Sequence, residues 1–129
     1  MLMEIARQDR QLIYIGSSKK DSEKLPKEVG EVFLTALKMA LIGETHEDAK
    51  PFKYHGSGVF EVVKDYRGNA FREIYTIRYE EVVFVIHVFQ KKSKKQSETP
   101  KQDKELIEKR LKWASQIYED QYGKKKKKG

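Results

Sequence analysis

An almost unbroken run of apolar residues, Val82–Phe89, constrains the fold of this chain more than any other part of its sequence. The run is far shorter than the roughly 20 residues of a membrane span, and it is rich in β-branched side chains, which favour a strand. A strand that is apolar on both faces must be covered on both faces. The run therefore predicts an interior strand of a sheet, with other layers packed on each side.

Two further strands are predicted immediately before it. Val59–Tyr66 and Ala70–Tyr79 are β-prone and are separated by the turn Arg67–Asn69. The links leave no room for a crossover helix, so the three strands form an antiparallel meander. The link Glu80–Glu81 lacks the Asn or Gly that a two-residue hairpin turn prefers, which predicts a longer and looser connection there.

Helices are indicated on either side of this meander. Apolar residues recur at three- and four-residue spacing over residues 26–42, and again from Thr99 to about Tyr118. With a strand at residues 10–16, the order is β-α-β-β-β-α, which predicts an α+β fold with a mostly antiparallel four-stranded sheet. A parallel crossover would contradict it. The residues expected in the core are Val29, Phe33, Leu37, Leu106 and Leu111, packed against Phe60, Val85 and Ile86.

The composition excludes several kinds of chemistry. The chain has no cysteine, so it has no disulfide, no thiolate nucleophile and none of the usual zinc sites. Its histidines, His46, His55 and His87, show no metal-ligand spacing, and we expect neither a metal nor another cofactor. The N-terminus lacks the features of a signal peptide, so a cytoplasmic protein without membrane contact is expected.

Positive charge is concentrated in two places. Of the net charge of +7, residues 64–95 contribute +4, from eight basic and four acidic side chains, and Lys124–Lys128 contribute +5. Residues 123–129 cannot pack and are interpreted as a flexible lysine tail or a cloning remnant, which leaves residues 1–122 as one domain. The charges of residues 64–95 lie among strands, where they form either a phosphate-binding face or a solubilising surface.

Several motifs resemble those of the phage-derived HigB-like branch of the RelE/ParE toxin superfamily. They are Gly16–Asp21 with Leu25–Pro26, Val59–Phe60, Phe71–Tyr75, and His87–Lys95 followed by Thr99–Pro100 and Leu106–Leu111. The resemblance implies a RelE-like fold and the toxin of a type II toxin–antitoxin pair. Such a toxin is usually a ribosome-dependent mRNA endoribonuclease, neutralised by a helix-turn-helix antitoxin (HigA-like) whose complex with it binds operator DNA.

The resemblance also implies a site. RNA can be cut without metal when its own 2′-hydroxyl attacks the adjacent phosphate. Arg72 matches the arginine of the family's strand motif and would hold phosphate oxygens, while Lys91 would stabilise charge or donate a proton. Both side chains are expected to be exposed. His87, which alternates with Val85 and Phe89, is either an acid–base group or a satisfied core histidine. Further phosphate-binding candidates are Lys64, Arg67, Arg78, Lys92, Lys94 and Lys95.

The chain departs from its nuclease relatives in ways that keep other functions open. Glu61 and Val63 stand where those relatives commonly carry lysines, and no tyrosine lies between Lys91 and Pro100. One alternative is a non-enzymatic inhibitor of DNA gyrase, like the ParE branch of the superfamily. Another is an RNA-binding module without cleavage. Trp113 is expected to pack in the core rather than to stack on bases.

Overall fold

The structure, a computed structural model, describes residues 10–91 and 99–123. Five strands and three helices lie within these residues, followed by a short π-helical segment, Glu119–Gly123. The strands are β1 (Gln11–Tyr14), β2 (Ala49–Pro51), β3 (Val59–Tyr66), β4 (Asn69–Thr76) and β5 (Val82–Lys91). The helices are α1 (Ser18–Glu23), α2 (Lys27–Leu41) and α3 (Lys101–Tyr118).

The strands form one mixed sheet in the order β1-β5-β4-β3-β2. β1 pairs in parallel with β5, with Gln11 opposite Val82, and the other three pairings are antiparallel. The α+β class and the β3-β4-β5 meander are confirmed. The prediction of four strands without a parallel crossover is wrong, because β1 joins β5 in parallel and the short β2 adds a fifth strand. Local sequence patterns do not record which distant strand a segment pairs with, or in which direction.

Each face of the sheet is covered by one long helix. We call the side packed against α2 the α2 face and the side packed against α3 the α3 face. On the α2 face the buried residues include Val29, Phe33 and Leu37 of the helix and Val62, Tyr75, Val83 and Val85 of the sheet. On the α3 face they include Ile107, Leu111, Ala114 and Tyr118 of the helix and Val59, Ile74, Phe84 and Ile86 of the sheet. Leu106 and Phe60, expected in the core, are only partly buried.

β5 is an interior strand buried on both faces, as its apolar run predicts. A β-bulge interrupts its pairing with β4: Ile74 lies opposite His87, whereas the next residue, Tyr75, lies opposite Val85. Ile86 is therefore the additional residue on β5. A bulge reverses the face to which the following side chains point. His87 and Phe89 thus share a face with each other but not with Val85, which corrects the predicted alternation.

The described part of the chain contains no helix that is long and apolar enough to cross a membrane. The connection from β4 to β5 covers residues 77–81, which confirms the predicted loose turn. It is tied to α3 by the hydroxyl of Tyr118, which donates a hydrogen bond of 2.8 Å to the Glu81 carboxylate.

The β3-β4 hairpin closes with a two-residue turn. Its residues, Arg67 and Gly68, have φ angles of 49° and 83°. Positive φ at both positions defines a type I′ turn, which prefers Asn-Gly. Arg67 is a non-glycine residue in the left-handed region, and its guanidinium lies 5.3 Å from the ring centre of Tyr66. The backbone is therefore strained at Arg67, and the cation–π contact offsets part of the energy of that strain.

Replacing Arg67 with asparagine is expected to stabilise the protein by about 0.5 kcal/mol. Asparagine tolerates positive φ, and this gain exceeds the loss of an exposed cation–π contact. Arg67→Ala loses the same contact without the conformational gain, so it should be less stable than the wild type. Urea denaturation of the three proteins measures the order, and Arg67→Ala ranking above Arg67→Asn would contradict the assigned turn.

One ionisable group, Glu73 of β4, lies inside the core on the α2 face. Its side chain is 1% exposed, and its Oε1 atom has no hydrogen-bond partner among the described residues. Burial raises the pKa of this carboxyl well above its ordinary value of 4.5, because the charged form loses its hydration. Below pH 4.5 both the folded and the unfolded chain carry the proton. Above it the unfolded chain releases its proton first, so folding loses stability as the pH rises.

The variant Glu73→Gln is expected to gain stability relative to the wild type as the pH is raised above 4.5. The glutamine amide has the shape of the protonated acid and does not titrate. The variant therefore does not lose the folding stability that the wild type loses at Glu73 as the pH rises. The titration of His87 is common to both proteins and cancels in the comparison. The check is the difference in unfolding free energy between the two proteins at pH 4.5 and pH 7.5. A difference that does not change with pH would show that Glu73 titrates normally.

Candidate functional site

The fold brings Arg72, in the middle of β4, to the same face of the sheet as His87 and Lys91, in the second half of β5. Arg72 lies opposite Phe89, and the flanking pairs are Ile74 with His87 and Ala70 with Lys91. His87 and Lys91 are thus the two diagonal neighbours of Arg72 across the strand pair, positions about 7–8 Å apart. The bulge at Ile86 produces this arrangement, because without it the β5 residues would point to the α2 face. The three residues predicted as catalytic therefore do share one surface, the α3 face.

Arg72 is paired with a carboxylate. Its Nη1 atom donates a hydrogen bond of 2.5 Å to Oε2 of Glu61, on the adjacent strand β3. The two side chains are 10% and 17% exposed. The prediction that Arg72 is exposed is therefore wrong: the residue sits between β3 and β5, where neighbouring strands cover it. A phosphate can bind this guanidinium only by sharing it with Glu61 or by displacing Glu61.

Lys91 is the last residue of β5, and it too is buried. The predicted strand ended at Phe89, with Lys91 in the following loop, so both the predicted strand end and the predicted exposure are wrong. The strand continues because Lys91 pairs with Ala70 of β4.

His87 is held by two residues of α3. Its Nε2 atom lies 2.7 Å from Oδ1 of Asp103, and its Nδ1 atom lies 3.4 Å from Nη1 of Arg110. A carboxylate and a guanidinium on opposite sides define the neutral tautomer in which Nε2–H donates and Nδ1 accepts. Burial lowers the pKa of His87 despite the opposing effect of Asp103, so the ring is neutral at pH 7. This is the geometry of a satisfied histidine; the predicted catalytic role remains a prediction.

The remaining candidates are dispersed. Arg67 is exposed at the hairpin tip, at the same end of the sheet as Lys91. Lys64 lines a surface depression with α2 residues, on the α2 face. Arg78 lies beyond the far end of β4, where its guanidinium donates to the backbone carbonyls of Ser57 and His55. The predicted grouping of Arg78 with Arg72 is therefore wrong, because Arg78 fastens a loop.

Several predicted groups fall elsewhere. Lys92, Lys94, Lys95 and the lysines of the predicted tail lie outside the described residues. Trp113, expected to pack in the core, is 48% exposed on α3, so this prediction is wrong.

Within residues 10–91 and 99–123, no cluster of three or more His, Asp or Glu side chains could hold a metal ion.

Sequence reasoning missed the part that Glu61 plays. In the sequence it registers only as a departure from a lysine pattern, whereas the structure places it in direct contact with Arg72. The signal was available: Val59 and Glu61 are two residues apart on one strand, so they share a face, and Val59 is core material. A carboxylate on an inward face needs a cationic partner. Asp103, the partner of His87, gave no such signal, because an acidic residue in the first turn of a helix is common and is expected to face solvent.

No curated protein matches this chain. Among solved structures it is similar to a chain of the toxin–antitoxin complex RelBE2 from Mycobacterium tuberculosis, with 21% identity and a TM-score of 0.43, over 64% of this chain and 92% of that one. A family model described as phage-derived protein Gp49-like matches residues 20–112. This match covers most of the helices and the whole β3-β4-β5 meander, whereas the HigB-like branch named from the motifs stays a prediction: the chain belongs to the family of phage-derived Gp49-like proteins.

Proposed function

We propose that this protein is the toxin of a type II toxin–antitoxin pair and that it cleaves mRNA on the ribosome without a metal ion. The observation that carries the proposal is the grouping of Arg72, Glu61 and Lys91 on the α3 face. Cleavage through the 2′-hydroxyl needs a proton acceptor, a proton donor and a group that stabilises charge on phosphorus, and a carboxylate, an ammonium group and a guanidinium can supply these three functions. The motif resemblance to the HigB-like toxins and the Gp49-like family membership support the same class of function.

The roles follow from the chemistry of each group. The Glu61 carboxylate accepts the proton of the 2′-hydroxyl, whose oxygen then forms a bond to phosphorus. Arg72 holds two non-bridging phosphate oxygens through its planar fork and stabilises the charge that develops on them. Lys91 protonates the 5′-oxygen as its bond to phosphorus breaks. The products are a 2′,3′-cyclic phosphate and a free 5′-hydroxyl, with atoms and charge balanced and no co-reactant needed.

The burial of Arg72 and of Lys91 means that RNA must open the site before the chemistry. The Arg72–Glu61 pair is closed in this structure, so we propose that phosphate oxygens replace Glu61 as the partner of Arg72 when RNA binds. This exchange frees the carboxylate to act as the base. Before RNA binds, the closed pair holds both groups, so neither the guanidinium nor the carboxylate is free to act. We assign His87 the role of holding α3 against β5 through Asp103 and Arg110.

The decisive experiment is expression of the protein followed by mapping of RNA 5′ ends. The proposal expects new 5′-hydroxyl ends within translated regions and rapid loss of translation. Ribosome dependence is tested by comparing purified RNA with RNA on translating ribosomes. Intact transcripts together with arrested growth would contradict the nuclease assignment.

The burial of the Arg72–Glu61 pair also favours a second candidate, a non-enzymatic inhibitor of DNA gyrase that uses the fold as a binding surface. In such an inhibitor the buried ion pair would only stabilise the fold, so no substrate would have to reach it. A DNA-damage response with intact mRNA after induction would select this candidate. Binding of RNA without cleavage or toxicity would select a simple RNA-binding module.

Either toxin requires a partner that silences it. We propose a small helix-turn-helix antitoxin encoded beside this gene, which binds the toxin and, as a complex, represses their operon. Carboxylates presented to the end of the sheet where Arg67 is exposed would supply electrostatic complementarity. Co-expression with the neighbouring reading frame tests the proposal: the neighbour should co-purify with this chain and restore growth. A neighbour that does neither would exclude the toxin–antitoxin assignment.

A further inference from the structure

A cavity opens on the α2 face, away from the Arg72 site, between α1, α2 and the sheet. Its volume is about 210 Å³. The wall is mainly apolar, and one buried carboxyl, that of Glu73, contributes to it. Its lining includes Tyr14, Lys19, Gly30, Phe33, Leu37 and Glu73. The space accommodates a short aliphatic chain.

Glu73 places a carboxyl in an apolar surrounding and leaves its Oε1 atom unpaired among the described residues. The residue is 1% exposed. A buried polar atom without a partner costs about 1–3 kcal/mol, and replacing such a group with an apolar one of the same shape is neutral or stabilising. This cost is recovered when a donor from outside the chain reaches the carboxylate. An ammonium or guanidinium group is the strongest such donor.

Gly30 supplies a second, independent observation at the same cavity. It lies inside α2, where glycine is less stable than alanine by about 1 kcal/mol. Its φ angle is not in the positive region, and a Cβ atom added to it would meet nothing within 4 Å. Neither backbone conformation nor close packing therefore requires glycine here. Its absent side chain widens the cavity.

We propose that this cavity binds the cationic end of a short aliphatic chain, with the Glu73 carboxylate as the partner of an ammonium or guanidinium group. Phe33 and Leu37 pack around the apolar stem. An arginine or lysine side chain of a partner polypeptide and a free alkyl cation present the same chemistry. The proposal does not rest on the nuclease assignment, since it concerns the opposite face of the sheet.

The other charged groups at the cavity are few. α1 contributes Lys19 and Glu23, both exposed at the rim, and α2 contributes no titratable group to the lining. Tyr14 of β1 and Tyr75 of β4 face Glu73 and stay neutral, since burial and the nearby carboxyl raise the pKa of both phenols, that of Tyr75 to about 12. Glu73 is thus the single titrating group in the buried part of the described lining, and a cation binds its ionised form in preference to its protonated form.

The test is calorimetric titration of the full chain with n-butylguanidinium at pH 5.5 and pH 7.5, with valeramide as an uncharged ligand of similar length. We expect the cation to bind more tightly at pH 7.5 than at pH 5.5, by up to about tenfold per pH unit, because it binds the ionised carboxylate. Glu73→Gln should weaken binding by about tenfold to a hundredfold and remove the pH dependence.

Two further variants separate the cavity from general effects of charge. Gly30→Leu fills the open space, improves helix propensity and leaves Glu73 in place, so it should abolish binding without loss of stability. Glu28→Gln removes an exposed charge from the same helix outside the cavity and should bind as the wild type does. A capped Gly-Arg-Gly peptide that binds more tightly than n-butylguanidinium would assign the site to a partner's side chain, and the reverse order to a small molecule. No binding of either cation, or equal binding of valeramide and the cations, overturns the proposal.

Discussion

Replacing Arg72 with lysine is expected to lower the rate of RNA cleavage by about 10²–10³-fold and to abolish growth arrest. Lysine keeps the positive charge and the ion pair with Glu61, so the protein should fold. It lacks the planar fork that holds two phosphate oxygens at once. The measurement is the cleavage rate on translating ribosomes, together with growth after induction.

Two controls make this result specific. Lys112→Ala removes a positive charge from a side chain that is 78% exposed on α3 and should leave cleavage unchanged. The double variant Arg72→Met with Glu61→Gln removes both charges of the pair, so neither is left buried alone, and it should fold yet fail to cleave. A folded Arg72→Lys protein that remains fully toxic would show that the site lies elsewhere. Single alanine variants of Arg72 or Lys91 are less informative, because both residues are buried.

Replacing Arg110 with methionine is expected to lower the free energy of unfolding by about 2–4 kcal/mol. Arg110 extends from α3 into the region where β1, α1 and β5 meet. Its guanidinium donates to the backbone carbonyl of Ile86 at 3.1 Å and to the hydroxyl of Ser17 at 3.0 Å. Methionine preserves the apolar stem but leaves these acceptors and Nδ1 of His87 without their donor. Urea denaturation measures the loss.

The matched control is Lys112→Met on the same helix, which changes an exposed side chain and should shift stability by no more than about 0.5 kcal/mol. Gly16→Ala probes the same junction from the other side. Gly16 has a φ angle of 58°, and a Cβ atom there would lie 2.9 Å from Nη2 of Arg110. The substitution should therefore destabilise by at least about 1 kcal/mol. Equal stability of Arg110→Met and Lys112→Met would show that the Arg110 contacts contribute nothing.

The local elements of this fold were determined by the sequence itself. Three- and four-residue apolar spacing predicts α2 and α3 because the period of a helix brings those residues to one face. The apolar run of β5 and the Arg67-Gly68 turn together predict the antiparallel meander, because strands joined by short links have only one way to pair. These predictions depend on contacts between residues close in the chain.

Only the tertiary structure decided the site. The bulge at Ile86 directs His87 and Lys91 to the face of Arg72, and no alternation marks its position, because β5 is apolar on both sides. The parallel partner of β1, the burial of Arg72 and its pairing with Glu61 likewise depend on strands meeting across the sheet. Two charged side chains neutralise each other only when they are close in space. A local sequence pattern does not give the distance between residues that are far apart in the chain.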